Sequence, residues 1–381
     1  MRIAFNGQRL AGQRLGVGRY IEYMLRHWAD MLTAQETVSL FVRQPIEGDL
    51  QQLGPRIRPV LLESRLSGIP WENLRLRGPA AQHDVLFCPA YTAPVGYRGR
   101  YVVATHSINE VHPGSRATMH DQTYARLYRY CAQRADAVIV PAEVTRDAVV
   151  EHYGIPRERV AVVHQGADDA FQPVVDPAVI RAVRSRYFGG DRPYILFVGK
   201  CSARRNIPML VRAFARLRTE RRIPHGLLLF GPNHEGLPLE DLCRELGVAE
   251  HVVQTDGRIA HHTELVPVYA AADVFVHPSE FEGWSITTVE AMACGTPVVA
   301  ANRGGLAEVA SGHALMVNDP SVDSLVNAIG RVLEDEALQQ DLRRRARARG
   351  RALSWSASTR QTLDVVRGVA AGNRDFPRID Q

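Results

Sequence analysis

The chain has 381 residues, 45% hydrophobic and 23% charged, the balance of a globular protein long enough for two domains of ordinary size. Its five cysteines (Cys88, Cys131, Cys201, Cys243, Cys294) show no Cys-x-x-Cys spacing, which argues against a disulfide framework or a thiolate metal site and suits a reducing cytoplasm. A net charge of +5 suits an anionic surface, but no nucleic-acid module is recognisable, and with a short strand and polar turn at 1–7 and no apolar run near the roughly 18 residues of a membrane span, neither a secretion signal nor a transmembrane helix is expected.

Ile3, Ala4 and Phe5 read as a short strand, followed by a loop and by Gly16-Val-Gly-Arg-Tyr20, which opens a helix carrying Ile21, Met24, Leu25 and Trp28 on one face. Glycines at 16 and 18 let backbone approach an anion closely, and the same pattern also serves a plain turn. A second strand covers 38–42. The stretch 44–81 is rich in proline and arginine, with Trp71 as its expected buried anchor and no readable function. Apolar runs at 85–91 and 101–105 read as buried strands, and His106 falls where the second ends, on the side of an open α/β sheet where ligands bind. His112 is read as structural. The segment 123–135 is helical, with Tyr124, Leu127, Tyr128 and Cys131 on one face and Arg126, Arg129, Tyr130 and Arg134 elsewhere. That pattern suits packing on a sheet, or resting on an anionic membrane. Strands follow at 137–140 and 159–163.

A connection from 171 to 192 with one short helix places a domain boundary at 172–173. Beyond it, an apolar strand at 194–199 runs into the polar turn 200–206 and a helix carrying Met209, Leu210, Phe214 and Leu217. Lys200 is the single lysine among 46 lysines and arginines, and it stands at this strand end with Arg205 after it. Strands at 227–231 and 252–259 and a helix at 264–272 lead to the stretch that organises the chain. There a strand ends near Val276, Pro278 and Gly283 break it, and Ile286, Val289, Met292 and Ala293 repeat at helical spacing. The helix therefore starts near Trp284 or Ser285, and its first turn offers unpaired N–H groups to a phosphate. Glu282 and Glu290 lie about 80° apart by helical rotation, on one side. Two carboxylates so placed suit the vicinal hydroxyls of a nucleotide sugar, although on spacing alone a surface glutamate and one in an amphipathic helix would look the same.

The stretch Glu282-Gly-Trp-Ser-Ile-Thr-Thr-Val-Glu290, continuing to Pro297, resembles the E-x7-E signature of the family-4 retaining glycosyltransferases. Their GT-B fold is α/β, with two facing Rossmann-like domains of parallel sheet and a C-terminal crossover helix. The resemblance covers nearly the whole chain, and 303–308 resembles the family's Gly-Gly-Leu-Pro-Glu loop. It implies that Glu290 holds the nucleotide ribose and that Glu282 sits by the donor sugar and its phosphates, with Gly283, Trp284, Ser285 and Ile286 at the helix start. It further implies that Gly257, Arg258 and Ile259 receive the base through backbone atoms and that Gly16, Gly18 and Arg19 meet the diphosphate. His106 would contact the donor sugar, with Ser107 standing where the family has an aspartate. Lys200, directly after Gly199, and Arg205 would clamp the diphosphate. The family usually carries arginine first and lysine second, and this chain exchanges them. The helical segment 354–367 would cross back onto the first domain, giving domains of 1–172 with 355–381 and of 173–354, and the last ten or so residues would form a frayed tail.

The resemblance thus implies a retaining transfer of a hexose, best mannose from GDP-mannose, to an acceptor hydroxyl in polysaccharide, lipopolysaccharide or glycolipid synthesis. His106, Glu282, Lys200 and Arg205 would carry the chemistry. No Asp-x-Asp occurs, so these cations are expected to replace a metal, and no cofactor is expected. UDP-glucose and UDP-N-acetylglucosamine remain open as donors. An epimerase acting without an acceptor, a phosphorylase needing pyridoxal, and a non-catalytic nucleotide-sugar scaffold remain open as readings. The expected place is the cytoplasm, with peripheral contact to an anionic membrane.

Overall fold

The computed structural model describes residues 1–11, 16–46, 50, 53–108 and 119–376; His112 and the end of the expected tail, 377–381, lie outside the described residues. The chain divides into two compact units, Met1–Gln165 with Trp355–Gln381, and Gly166–Ser354. The first division therefore falls ahead of 172–173. Ala167 N–H donates to Leu353 O at 3.0 Å, and Phe171 packs against His262 and Tyr269 at ring distances of 5.0 and 6.0 Å, all within the second unit.

The first unit is built on seven parallel strands: β1 (Arg2–Asn6), β2 (Thr37–Val42), β3 (Ile57–Leu61), β4 (Val85–Cys88), β5 (Tyr101–Ala104), β6 (Ala137–Val140) and β7 (Val160–Val162). Their order in the sheet is β3-β2-β1-β4-β5-β6-β7. The central strands β4, β5 and β6 are buried throughout, which explains their unbroken apolar sequences. The stretch 44–81, from which no element was expected, supplies β3. Pro59 and two exposed neighbours hide it from a period-2 search, and such a strand belongs at the sheet edge where it lies. Trp71 is fully buried and donates its indole N–H to Leu62 O at 2.9 Å.

Helix Val17–Met31 buries Tyr20, Ile21, Met24, Leu25 and Trp28, and the last helix, Trp355–Ala371, lies against it. Trp28 Nε1 donates to Thr359 O at 2.9 Å, Tyr23 stacks on Trp355 at 4.7 Å, and Arg367 closes a two-pronged ion pair with Glu36, both bonds 2.8 Å. The terminal helix is thus an integral layer of the first unit.

The second unit holds six parallel strands: β8 (Tyr194–Val198), β9 (Gly226–Phe230), β10 (Val252–Thr255), β11 (Val274–His277), β12 (Val298–Ala301) and β13 (Leu315–Val317). Their order is β10-β9-β8-β11-β12-β13. Strand β10 ends at Thr255, short of the expected 259, because Gly257 turns the chain at φ 72°. The helix of the connection, Pro177–Phe188, is longer than expected, started by the side chain of Asp176 on Ala178 N–H at 2.8 Å and stopped by Gly189. In both sheets the strand order reverses beside the first strand, at β1/β4 and at β8/β11, and ligands of such sheets bind beyond the carboxyl ends at this point. Among the described residues no helix is long and apolar enough to cross a membrane.

Candidate functional site

In the second unit, β8 runs into Gly199 at φ 143°, where a Cβ would stand 2.8 Å from Arg205 Nη1. Glycine here lets the guanidinium fold back over the strand end. Arg205 Nη1 donates to Lys200 O at 3.2 Å, and its Nε donates to Glu282 Oε1 at 2.9 Å. The same oxygen lies 3.4 Å from Arg204 Nη1 and 3.6 Å from His277 Nε2, and it accepts from Ser279 Oγ at 3.3 Å. Burial opposes the charge on Glu282, but the imidazole of His277 and the guanidiniums of Arg205 and Arg204 outweigh it and hold the carboxyl well below the usual range. The structure therefore brings Glu282 and Arg205 together. Lys200 is exposed, and among the described residues its ammonium has no partner.

Helix Ile286–Ala293 starts after Ser285, whose Oγ accepts from Thr288 N–H at 3.2 Å. His277 joins this cap, with Nδ1 at 3.0 Å from Ser285 Oγ and 3.1 Å from Thr288 Oγ1. One buried histidine thus links the start of the helix to Glu282. The backbone before the helix is pinned from behind: Gly305 N–H donates to Glu282 O at 2.7 Å, and a Cβ on Gly305 would lie 2.3 Å from Gly283 O. Gly283, Trp284 and Ser285 are consequently buried.

Glu290, with 1% exposure, has different partners. His262 Nε2 donates to its Oε1 at 2.6 Å, and Tyr269 OH donates to its Oε2 at 2.9 Å. Gly257, Arg258 and Ile259 follow β10 at the same carboxyl edge of the sheet. Gly257 N–H donates to Thr255 Oγ1 and Arg258 N–H to Asp256 Oδ1, at 3.2 and 3.0 Å, while the Arg258 side chain reaches solvent beside Asp256.

In the first unit, His106 follows β5. Its Nε2 donates to Pro89 O at 2.8 Å, and its Nδ1 accepts from Gln165 Nε2 at 3.1 Å. The rings of Tyr20 and Tyr91 meet it edge-on at 4.8 and 5.6 Å. Burial lowers its pKa to about 4, so it is neutral at pH 7. With serine at 107, the imidazole is oriented by a carbonyl and an amide; Ser107 Oγ lies 3.4 Å from Tyr91 OH. Gly16, at φ 49°, precedes helix Val17–Met31, in which Gly18 is buried and Arg19 partly so; the loop residues 12–15 lie outside the described residues. At the β1/β4 switch point stands a carboxylate the sequence did not flag. Glu72 Oε1 accepts from Asn6 Nδ2, Gln8 Nε2 and Thr92 Oγ1 at 2.8, 2.6 and 2.8 Å.

Two family profiles match successive stretches of the chain that together cover most of it: "Glycosyltransferase Family 4" over 15–171 and "Glycosyl transferases group 1" over 182–349. The chain belongs to the family-4 glycosyltransferases. Its fold is GT-B. Among curated relatives, O-antigen chain mannosyltransferase B of Escherichia coli is 26% identical over 70% of each chain. A GDP-mannose-dependent alpha-(1-6)-phosphatidylinositol monomannoside mannosyltransferase of Mycolicibacterium smegmatis is 37% identical over 53% of this chain, an alignment that spans 54% of that relative. Among solved structures, sucrose-phosphate synthase of Thermosynechococcus elongatus superposes with a TM-score of 0.79 at 25% identity, covering 98% of this chain and 100% of that one.

In this glycosyltransferase the residues that sequence reasoning missed are, Glu72 apart, contacts of the expected ones: Arg204 and His277 on Glu282, His262 and Tyr269 on Glu290, Gln165 on His106. Arg204 adjoins Arg205 and His277 opens the organising stretch, so both were within reach. His262, in the turn His262–Glu264, Tyr269, in the helix Leu265–Ala270, and Gln165, in a loop, are all distant in sequence from the residues they touch and leave no local signal.

Proposed function

We propose that this glycosyltransferase moves a hexose, with retention, from a nucleoside diphosphate sugar to an acceptor hydroxyl, with GDP-mannose as donor and a polysaccharide, lipopolysaccharide or glycolipid as acceptor. The observation that carries the reading is the cluster at the end of β8, where Glu282 is ringed by Arg205, Arg204 and His277, and where the exposed Lys200, whose ammonium has no partner among the described residues, follows the strand. Departure of a nucleoside diphosphate builds negative charge on phosphate oxygens, and fixed cations aimed at that charge are the strongest catalytic device available. Lys200 and Arg205, with the N–H groups at the start of helix Ile286–Ala293, are the groups assigned to it, without a divalent metal. Glu290 takes the ribose, the loop at Gly257–Ile259 the base, and Gly16, Gly18 and Arg19 the diphosphate from the first unit. His106, neutral and fixed by Pro89 and Gln165, orients the donor sugar with Glu282. Retention follows from attack on the face the diphosphate leaves, the departing phosphate taking the acceptor proton, so no protein nucleophile is required.

GDP-mannose is preferred because the relative with the higher identity is named as GDP-mannose-dependent and the other as a mannosyltransferase. Exposed Arg126, Arg129 and Arg134 on helix Met119–Arg134 support peripheral contact with an anionic membrane at the cytoplasmic face, where a lipid-linked acceptor would be presented.

The test is calorimetric titration with GDP-mannose, UDP-glucose and UDP-N-acetylglucosamine, followed by product analysis with and without a chelator. Binding and chelator-resistant release of GDP from GDP-mannose is the expected result. Binding of a UDP sugar alone replaces the donor. Conversion of the bound sugar to its epimer without acceptor, or binding without turnover in the presence of membrane lipids and glycans, replaces the reaction.

A further inference from the structure

The surroundings of Glu290 contain one element that the proposed reaction does not use. Among the donors that hold the carboxylate, His262 and Tyr269 differ in kind. Tyr269 is fully buried, with its ring packed against Phe275 at 5.8 Å and Phe171 at 6.0 Å, as an element of the core. His262 belongs to a single turn, His262–Glu264, and keeps 15% of its side chain exposed, so it borders both the buried carboxylate and solvent. That turn is firmly built. Glu264 Oε1 accepts from Ala260 N–H at 3.0 Å and from His261 N–H at 2.8 Å, locking it onto the segment that begins at Gly257. The imidazole rests against Phe171 at 5.0 Å and reaches Glu290 Oε1 at 2.6 Å, a short charge-assisted bond.

A carboxylate accepts hydrogen bonds only within the directions set by its plane, and that plane turns about a soft terminal torsion. A donor at fixed position on one oxygen removes this freedom. We propose that His262 is a positioning residue for nucleotide binding: by donating Nε2–H to Glu290 Oε1 it sets the carboxylate toward the ribose hydroxyls and ties that setting to the loop that meets the base. The inference rests on the assignment of Glu290 to the ribose. Its consequence is selectivity, because preference for ribose over 2′-deoxyribose then depends on an imidazole that touches neither the base nor the phosphates.

The experiment measures the affinities of GDP and 2′-deoxy-GDP, and in parallel UDP and 2′-deoxy-UDP, by calorimetry on the wild-type chain and on His262→Ala, His262→Asn and His262→Gln. The thermal midpoint of each variant is taken without ligand. A glutamine amide nitrogen falls where Nε2 stands and an asparagine nitrogen does not. The expected result is a wild type that prefers the ribonucleotide, and a loss of about tenfold to a hundredfold for the ribonucleotide in the Ala and Asn variants. The deoxynucleotide should lose far less, so that the preference collapses, and His262→Gln should restore it. His262→Ala with wild-type affinity and wild-type preference overturns the inference alone. So does an equal loss for both sugars, which marks a purely structural role. A wild type that binds neither GDP nor UDP overturns the nucleotide reading itself, and the inference with it.

Discussion

Arg205 Nε lies 2.9 Å from Glu282 Oε1, so a cation assigned to the donor's diphosphate is already held by the carboxylate assigned to the donor's sugar. On those assignments the donor would share or displace that ion pair. Lys200 carries no such engagement among the described residues. Lys200→Ala is therefore expected to weaken nucleoside diphosphate binding by about tenfold, the worth of a charged hydrogen bond, with the thermal midpoint unchanged. Arg205→Ala should weaken binding similarly and also lower the midpoint, because it strips Glu282 of its nearest cation. Calorimetric titration and thermal melts of the two variants separate these effects.

Gly305→Ala should damage the same site without touching a charge. Its Cβ would press 2.3 Å from Gly283 O, in the strand-to-helix turn that carries Glu282. Overpacking of this kind costs about 1–3 kcal/mol. Urea melts should show that loss, and donor affinity should fall with it as the carboxylate is displaced.

Glu72 makes the protein lose stability as pH rises from mildly acidic toward neutral. Burial raises its pKa to about 7 despite the bonds from Thr92, Asn6 and Gln8 and the nearby Arg9. A raised carboxyl binds its proton more tightly in the folded state. Between the unfolded value near 4.5 and the folded value near 7, folding takes up a proton, so stability falls as pH rises through that window. The group contributes a loss of about 3 kcal/mol across it. Glu72→Gln should abolish this part of the slope in urea melts from pH 4.5 to 8.

The terminal helix carries the opposite sign. Arg367 holds the Glu36 carboxyl down to about 2, so the stability of this pair is present above about pH 4.5 and lost as pH falls toward 2. Arg367 is partly exposed, and Arg367→Ala should cost no more than about 1 kcal/mol at neutral pH. Trp355→Ala, emptying a fully buried site, should cost about 3–5 kcal/mol. Denaturant melts at pH 7 and pH 3 should show the arginine variant converging on wild type in acid while the tryptophan variant stays low.

Much of this was legible in the sequence because it is written locally. Strands buried on both faces, such as β4, β8 and β11, leave continuous apolar runs, and the start of helix Ile286–Ala293 follows from the glycine and serine before it. The edges were not legible: β3 carries a proline and exposed residues, and β13 is only Leu315–Val317, so neither has enough buried sequence to stand out. The glutamates were singled out by the resemblance of their stretch to the family signature, their spacing alone being ambiguous. Their partners were not, because His262 and Tyr269 meet Glu290 only through the fold, and Glu72 meets Asn6 and Thr92 across the switch point of a sheet that must form first.

The position of helix Trp355–Ala371 fixes an order of events during synthesis. Strands β1 to β7 leave the ribosome first, but the helix that covers Tyr23 and Trp28 is made only after the entire second unit. At translation rates of about 5–20 residues per second, that aromatic face waits on the order of ten to forty seconds for its cover. The unit that begins the chain is thus the last to be completed, and in the interval its bare aromatic face is the place where a chaperone has something to hold.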